Sequence, residues 1–471
     1  MAAERFARAA AVMCVAVTVA MSPVLAEEKR VVDELLDILR QNKQISDQQY
    51  RQLKQRAESE RLRDQGAEEV AAPTPTAAAV AAATPAVPKG AMPIEAYWKD
   101  SFNLGTADES FKLRIGGRIQ NDWAVASSSA GLREKYDIAA VETGTELRRA
   151  RIDLQGNIWK VVNFRLEYDF ATGEAEAKDV YIGLRAVPWV QNIRVGHYKE
   201  PFGLEFITSN NDITFMERAI PFALTPGRNT GVGIYGAEFE ERVTWEGGFF
   251  ALADDTGFGF GPAADYDLTG RVTGLPWAAD EAHFAHLGLG YSHQFRGDDF
   301  ELAYRQRPES HLYPVSLVNT GNVPTNGVDL LNAEGAVVYG PFSAQAEYSQ
   351  SFVSIPGSVD ANVGGFYTQA SWFLTGESRP YRRARGYFDR VRPLHNLAFD
   401  GTGWGAWEVA ARFSWLDLNS GSVRGGQLSD VTAGLNWYLN PNVRITANYI
   451  HAHRQATGDA NIVQSRFQFA F

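Results

Sequence analysis

Apolar and polar residues alternate with a period of two along most of the chain from Phe111 onward. In the final run, residues 461–471, Val463 and Phe467 fall on one face and Gln464 and Arg466 fall on the other. A period of two is that of a β-strand. A soluble sandwich alternates too, but its inner faces share a core. Here the polar faces carry charges on strand after strand, which favours a transmembrane β-barrel with apolar residues outside and polar residues inside.

The number of strands follows from the connections between the alternating runs. Five tight connections fall on one side of the barrel only if the run Phe300–Arg307 belongs to an outer loop. A single-chain barrel of this kind has an even number of strands, with short periplasmic turns and longer outer loops. The fold class that we predict is therefore all-β, a 16-stranded antiparallel transmembrane barrel with strands near 111–125, 147–158, 162–170, 178–187, 192–198, 230–240, 243–253, 266–275, 284–295, 330–340, 342–352, 364–374, 405–417, 428–439, 443–453 and 461–471.

Two long connections stand out. Residues 199–229 form an outer loop that we expect to fold into the lumen and narrow it, although a loop that only covers the barrel mouth has the same pattern. Residues 375–404 lie on the periplasmic side and carry a basic run from Arg379 to Arg392. This run fits an electrostatic funnel at the pore mouth and, equally, a solvated or lipid-contacting loop.

The residues before the barrel predict three further segments. Residues 1–26 have the basic start, apolar stretch and small-residue end of a secretory signal peptide. Residues 27–66 show helical periodicity and suit a short helical hairpin or an oligomerising coiled coil. Residues 67–100 are read as an Ala/Pro-rich linker, and 101–471 as the barrel domain. The single cysteine, Cys14, lies in the signal segment, so disulfides and thiolate chemistry are excluded from the mature protein.

The charges point to anions but do not decide the matter. From residue 101 onward the chain has 27 Arg and five Lys against 42 acidic residues. The net charge of −11 does not favour nucleic acid as a partner. Arginine and lysine in a narrow aqueous pore favour anions, but cross-strand pairing with carboxylates would only stiffen the wall. The candidate pore-lining residues are Lys112, Arg114, Arg118, Arg149, Arg151, Arg165, Arg185, Arg194, Lys199, Arg218 and Arg228.

Several blocks, in order, resemble the phosphate-selective porin O/P family. They are Lys199–Glu205, Phe215–Ala219, Pro226–Arg228, Ser371–Tyr381 and Leu435–Asn442. The resemblance covers most of 101–471. It implies a homotrimeric outer-membrane channel of sixteen strands with an anion path formed by Arg and Lys side chains.

These observations predict an outer-membrane porin for passive diffusion of small anions, with phosphate and polyphosphate as candidates, through a lumen lined by Arg and Lys side chains. The alternatives are a weakly selective general porin, and a barrel that tethers the envelope through contact of 27–66 with the cell wall or a periplasmic partner. The other expected partners are outer-membrane lipid and lipopolysaccharide. The sequence has no phosphate-cradling P-loop and no Gly-x-Ser-x-Gly elbow, and His451 and His453 have no evident third ligand. We therefore expect no enzyme, no metal site and no cofactor.

Overall fold

The computed structural model describes Tyr50, Lys54 and residues 92–259, 265–297 and 299–471. The chain divides into two units, 1–89 and 90–471. The predicted signal peptide lies outside the described residues. Most of the predicted helical segment 27–66 also lies outside the described residues. Its two described residues, Tyr50 and Lys54, are helical.

Sixteen long strands form the barrel, and each pairs antiparallel with its neighbours. Their bounds are β3 (Phe111–Ser128), β4 (Val141–Ile158), β5 (Val162–Asp169), β6 (Glu176–Val187), β7 (Gln191–Lys199), β8 (Arg228–Glu238), β9 (Val243–Ala251), β10 (Tyr266–Ala278), β11 (His283–Phe295), β16 (Gly327–Tyr339), β17 (Phe342–Ser354), β18 (Ala361–Phe373), β21 (Ala406–Ser420), β22 (Val423–Asn440), β23 (Val443–Arg454) and β24 (Gly458–Ala470). The predicted fold class and strand number are confirmed.

The last strand closes the barrel on the first. β24 pairs with β3 from Ala460 opposite Ser128 to Ala470 opposite Arg118. Beyond that ladder, the backbone of Phe471 exchanges two hydrogen bonds with Gly117, of 2.9 and 3.0 Å. Closure satisfies the backbone groups of both terminal strands, which a lipid environment requires.

The run 300–307 is not a strand of the barrel wall and belongs to the extracellular connection, as predicted. It contains β12 (Glu301–Leu302) and β13 (Arg305–Gln306), which pair with β15 (Val323–Pro324) and β14 (Val318–Asn319). These short hairpins belong to the long connection 296–326. We call the end of the barrel with the short turns periplasmic and the opposite end extracellular.

The two faces of each strand are chemically distinct, as the alternation predicts. On β3 and β24, Ile119, Trp123 and Phe467 are about half exposed on the outside, whereas Asp122 and Arg466 are buried inside. Aromatic rings gather near the periplasmic ends of the strands, where Trp407 and Trp437 stack at 4.9 Å and Phe469 and Phe471 at 5.3 Å. Among the described residues, no helix combines the length and the apolar character needed to cross a membrane.

A small N-terminal hairpin extends the barrel on the periplasmic side. It consists of β1 (Glu95–Trp98) and β2 (Phe102–Gly105), and β2 pairs with Lys112–Ile115 of β3, below the end of β24. The first strand thus lies inside the bounds of the predicted linker 67–100. The hairpin covers an edge of β3 that would otherwise be open.

The extracellular half of the lumen contains a hydrophobic core. The core joins α1 (Ala130–Tyr136), the connection 296–326, the loop 200–227 and the inner faces of several strands. Phe202, Phe206, Leu317 and Leu416 are among its buried members. Apolar packing therefore fills part of the space that a bare sixteen-strand barrel would leave to water.

The periplasmic segment after β18 also folds into the barrel. It contains β19 (Tyr381–Arg382), a 3-10 turn (Arg383–Arg385) and β20 (Tyr387–Phe388). Phe388 is fully buried in a cluster with Leu204 of the outer loop. The Arg271 guanidinium donates to the Gly386 carbonyl at 2.8 Å. The segment thus packs on the inner wall through Phe388, while the side chains of Arg382 and Arg392 stay more than half exposed, and the choice between the two alternatives for the basic run stays a prediction.

Candidate functional site

The outer loop between β7 and β8 crosses the lumen to the opposite wall. Its short helix α2 (Leu204–Ile207) begins against β17, where Glu347 accepts hydrogen bonds from the backbone N–H groups of Leu204 and Glu205 at 2.8 and 2.7 Å. Further along, Asn448 of β23 accepts from the Met216 N–H at 3.0 Å. Arg444 donates to the Ile213 carbonyl at 2.9 Å.

Glu217 of this loop lies among three arginines. It pairs with Arg148 at 3.0 Å and Arg466 at 2.6 Å, and Arg149 lies 3.7 Å away. Burial raises the pKa of the Glu217 carboxyl, but the guanidiniums of Arg148, Arg149 and Arg466 outweigh burial and hold that pKa well below its usual range. The carboxylate is therefore charged at neutral pH.

A β-bulge brings Arg148 into this group. Gln120 pairs with Arg149 and Asn121 with Leu147, so Arg148 has no partner in the ladder. A bulge lets two consecutive side chains point to the same side of the sheet. Arg148 and Arg149 therefore both reach Glu217. Strict alternation places Arg148 on the lipid face, so the sequence prediction missed it.

The wall formed by β3 to β8 carries a continuous ladder of ion pairs. Glu167 accepts from Arg118 at 2.8 Å, Arg165 at 3.1 Å and Arg151 at 3.3 Å. The same arginines are shared with neighbouring carboxylates. These further pairs are Arg151–Asp169 at 2.7 Å, Arg165–Asp153 at 2.9 Å, Arg165–Asp179 at 2.7 Å and Arg228–Asp179 at 3.1 Å. Most of the predicted wall arginines are therefore paired with acids.

Two predicted cations of the loop region are held by carbonyls instead. Arg218 donates to the carbonyls of Glu205 and Thr208 at 2.8 and 2.9 Å. Lys199 donates to the carbonyls of residues 206–208. Both cations thus lie at the C-terminal end of α2, where the helix dipole is negative. Burial lowers the pKa of Arg218 to about 10, which leaves it charged at neutral pH.

Arg194 lies apart from the ladder in an aromatic cage. Its guanidinium is 4.8 Å from the ring centre of Tyr181, 4.6 Å from Tyr198 and 4.8 Å from Tyr235. Glu246 pairs with it at 3.3 Å. The guanidinium of Arg385, from the periplasmic segment, lies 4.2 Å from the ring centre of Tyr235.

The periplasmic end of the lumen opens into a cavity of about 740 Å³, which we call the vestibule. Ten basic side chains and five acidic ones line it. The basic residues are Lys99, Lys112, Arg114, Arg118, Lys160, Arg165, Arg185, Arg382, Arg390 and Arg392. Five of the predicted pore residues thus meet here, with three arginines of the periplasmic segment.

Several of these cations pair with no acid in the described residues, and Lys112 and Arg185 are the two that were also predicted to line the pore. Lys112 and Arg185 form no ion pair and no side-chain hydrogen bond within the part of the chain that the structure describes. Arg114 bonds to the Ser101 hydroxyl at 2.7 Å and lies 4.0 Å from Asp153. Arg392 instead pairs with Asp100 of the N-terminal hairpin at 2.6 Å.

Sequence reasoning also left out buried arginines of the later strands, among them Arg412 and Arg466. Arg412 is buried between Glu205 at 3.2 Å and Glu309 at 2.5 Å, and Arg466 pairs with Asp122 at 2.7 Å. Both lie in the lumen phase of their strands, so the alternation contained the signal.

A closed sixteen-strand barrel with a charged interior and infolded loops defines the class of outer-membrane porins. A family model for phosphate-selective porin O and P matches residues 113–471. The chain belongs to this family, and the resemblance read from the sequence is confirmed. Membership and fold point to a channel rather than an enzyme.

Individual relatives agree with this assignment. An uncharacterized protein of Caulobacter vibrioides is 32% identical over 393 residues, covering 80% of this chain and 76% of that protein. Porin O of Pseudomonas aeruginosa is 26% identical over 420 residues, covering 79% of this chain and 91% of that protein. Among solved structures, an anion-selective porin from Comamonas acidovorans aligns with a TM-score of 0.49 at 13% identity, covering 77% of this chain and all of that one. The fold itself is established by the strand pairing and does not depend on this last alignment.

Proposed function

We propose that the protein is a passive channel for small anions, of which phosphate and polyphosphate are the candidates that the family suggests. The observation that carries the proposal is the twofold excess of basic over acidic side chains in the vestibule, with Lys112 and Arg185 unneutralised. Fixed positive charge in a narrow aqueous mouth lowers the barrier to anions and raises it for cations. The ion-paired ladder above it favours a second candidate, a weakly selective general porin, because paired arginines contribute little net charge.

The loop 199–229 supplies the narrowing in this proposal. It crosses the lumen and presents Lys199 and Arg218, which face carbonyls rather than carboxylates. Contacts with carbonyls leave the net charge of Arg218 in place. Anions passing from Arg218 toward Lys112 would therefore meet positive charge that no carboxylate neutralises at either level.

The unpaired vestibule cations provide the sharpest test. The substitutions Lys112→Glu and Arg185→Glu reverse a charge without leaving a buried carboxylate unpaired. Reversing the charge of Arg151, in contrast, would place a third acid beside Glu167 and Asp169. One unit charge at about 4 Å in water-like surroundings is worth about 1 kcal/mol, or roughly fivefold in a permeability ratio. The reversal potential in a salt gradient should show a several-fold fall in the anion/cation ratio for each variant. The control is Arg242→Glu in the exposed turn between β8 and β9, which should leave the ratio unchanged.

The relative permeability of phosphate and chloride separates the selective anion channel from the general porin. A selective channel would give a reversal potential that favours phosphate across a phosphate/chloride gradient. A general porin would rank the two anions by size alone. An unchanged ratio in both Glu variants would reject anion selectivity by the vestibule.

We further propose that the protein is a homotrimer with 27–66 in the periplasm, after removal of residues 1–26. Both barrel ends lie on the side of the short turns, which supports a periplasmic position for the residues before β1. A helical segment at that position could touch the cell wall or a periplasmic partner. Native-gel mobility before and after heating tests the trimer, and pull-down of purified peptidoglycan by the full chain and by a chain lacking 27–66 tests the contact.

A further inference from the structure

The outer face of the N-terminal hairpin continues the lipid-facing surface of the barrel. Phe102 of β2 lies opposite Ile115 of β3, and Trp98 of β1 lies opposite Phe102. Directly opposed residues of an antiparallel pair project to the same face. This is the face on which Ile119 and Trp123 of β3 are exposed to lipid, and on it Trp98 is 60% exposed and Phe102 is 41% exposed. The hairpin therefore carries the apolar face of the wall beyond the end of the last strand.

The register also gives the depth of the hairpin in the membrane. The barrel closes where the backbone of Phe471, a ring of the periplasmic girdle, bonds to Gly117, and Ile115 lies two residues farther along β3. With a rise of about 3.4 Å per residue and a strand tilt of roughly 40°, Phe102 lies about 5 Å farther out than this closure. The headgroup layer is roughly 5–7 Å deep on each side of the hydrocarbon. Trp98 and Phe102 thus lie at the level where interfacial aromatic residues meet headgroups.

A groove with one unpaired cation lies beside the hairpin. It has a volume of about 550 Å³ and is bounded by the hairpin, the turn 440–442 and the outer face of the wall, where Val443 lies opposite Phe469. Its charged lining residues are Lys99 and Asp100. The Asp100 carboxylate accepts from a guanidinium of the periplasmic segment at 2.6 Å, whereas Lys99 pairs with no acid in the described part of the chain. The groove thus combines apolar side chains with one net positive charge.

From this geometry we infer that the hairpin binds an anionic phospholipid of the periplasmic leaflet, such as phosphatidylglycerol. The lipid phosphate meets the Lys99 ammonium, and the acyl chains lie along Trp98, Val443 and Phe469. A lysine at this depth attracts an anionic headgroup while its stem covers apolar surface. Continuity with the lipid-facing wall favours lipid over a second copy of the chain as the occupant. The inference does not depend on the proposed anion passage, because Val443 and Phe469 face away from the lumen.

Labels on the two faces of the hairpin test whether lipid reaches it. Cys14 is the only cysteine of the chain, so Cys14→Ser gives a cysteine-free background. Ala96→Cys places a label on the outer face, opposite Leu104, and Tyr97→Cys places one on the other face, opposite Asn103. The full-length chains, labelled with bimane, are reconstituted into vesicles that contain phosphatidylglycerol with brominated acyl chains. We expect bromine to cause a larger loss of fluorescence at residue 96 than at residue 97.

Removing the Lys99 charge tests recognition of the headgroup. One lysine near an anionic surface contributes about 1 kcal/mol, which is roughly fivefold in affinity. The mole fraction of brominated phosphatidylglycerol that gives half-maximal quenching at residue 96 should therefore rise roughly fivefold in Lys99→Gln. The matched control is Lys160→Gln, which removes the same charge from the turn between β4 and β5, outside the groove. This control should quench as the parent chain does.

A second measurement needs no label. Native mass spectrometry of the wild-type chain, taken from micelles with equal amounts of phosphatidylglycerol and phosphatidylcholine, should show retained phosphatidylglycerol that Lys99→Gln loses. Equal retention of the two lipids would overturn recognition of an anionic headgroup.

Other occupants of the groove give different results. Equal quenching at residues 96 and 97 would overturn the lipid site. Disulfide-linked dimers of Ala96→Cys under oxidising conditions would assign this face to a neighbouring subunit, and relief of the quenching by sn-glycerol 3-phosphate would assign Lys99 to free phosphate esters; either result would also overturn it. Loss of anion preference in the reversal potential would reject the proposed function instead and would leave the lipid site standing.

Discussion

The carboxylate of Glu217 lies 2.6 Å from the guanidinium of Arg466, which is itself fully buried. Arg466 belongs to the closing strand β24 and also pairs with Asp122 of β3 at 2.7 Å. One guanidinium thus joins both strands of the barrel seam to the loop that crosses the lumen. The position of the loop and the closure of the barrel are therefore coupled through a single side chain.

Glu217→Ala should loosen the loop. Removing one partner of a buried ion pair leaves uncompensated charge, at a cost of roughly 3–5 kcal/mol, and here Arg148, Arg149 and Arg466 would face one another. We expect faster trypsin cleavage after Arg218 in detergent micelles under native conditions. Glu241→Ala, in an exposed turn, is the control. Equal cleavage rates in the two variants would show that Glu217 does not anchor the loop.

Gly203→Ala should disturb the start of α2. Gly203 has a φ of +65°, and an added Cβ would meet Glu347 Oε2 at 2.9 Å. Gly357 has a φ of +68° with open space around it, so Gly357→Ala carries the conformational cost alone. We expect channels of the Gly203→Ala variant to close at lower voltage, and to show more open-channel noise, than channels of the Gly357→Ala control. Identical traces would contradict a role for the Glu347 contact in holding the loop.

Gly386→Ala should push the periplasmic hairpin off the wall. A Cβ there would lie 2.6 Å from Thr273 Oγ1 and 2.8 Å from Thr244 Oγ1. If this hairpin bounds the ion path, its displacement should change single-channel conductance, and we expect an increase. Gly376→Ala is the control, because its Cβ would meet only Leu394, at 3.9 Å. Unchanged conductance in Gly386→Ala would mean that ions do not pass along the hairpin.

Anion preference should depend on pH through Asp212 of the outer loop. Burial raises the pKa of Asp212 to about 6, against the opposing effects of Arg390, Arg118 and Arg444, and Asp389 adds to the rise. Asp212 lines the vestibule, and it is charged above pH 6 and neutral below. The anion/cation ratio should therefore rise as pH falls from 7 to 5. Asp212→Asn should remove this step and show the higher ratio at both pH values. A step of the same size in Asp212→Asn would assign it to another group.

The fold was predictable because its signal is local. Side chains alternate across a strand whatever the strand contacts, so the apolar face of β24 could be read from Val463 and Phe467 alone. The strand number also followed, because turn lengths restrict which runs share a side. Arg148 was not predicted to face the lumen, because the bulge at this residue interrupts the two-residue period on which the prediction rests.

The sequence by itself determined that a barrel forms and, outside the bulge at Arg148, which face of each strand meets lipid and which cations face the lumen. Only the tertiary structure decided which of those cations keep their charge. Arg118 is neutralised by an acid two strands away and Arg165 by an acid on the adjacent strand, whereas Lys112 and Arg185 meet none in the described residues. The reason is that pairing depends on distances between residues far apart in the chain, as between Glu217 and Arg466, and a local pattern carries no information about those distances.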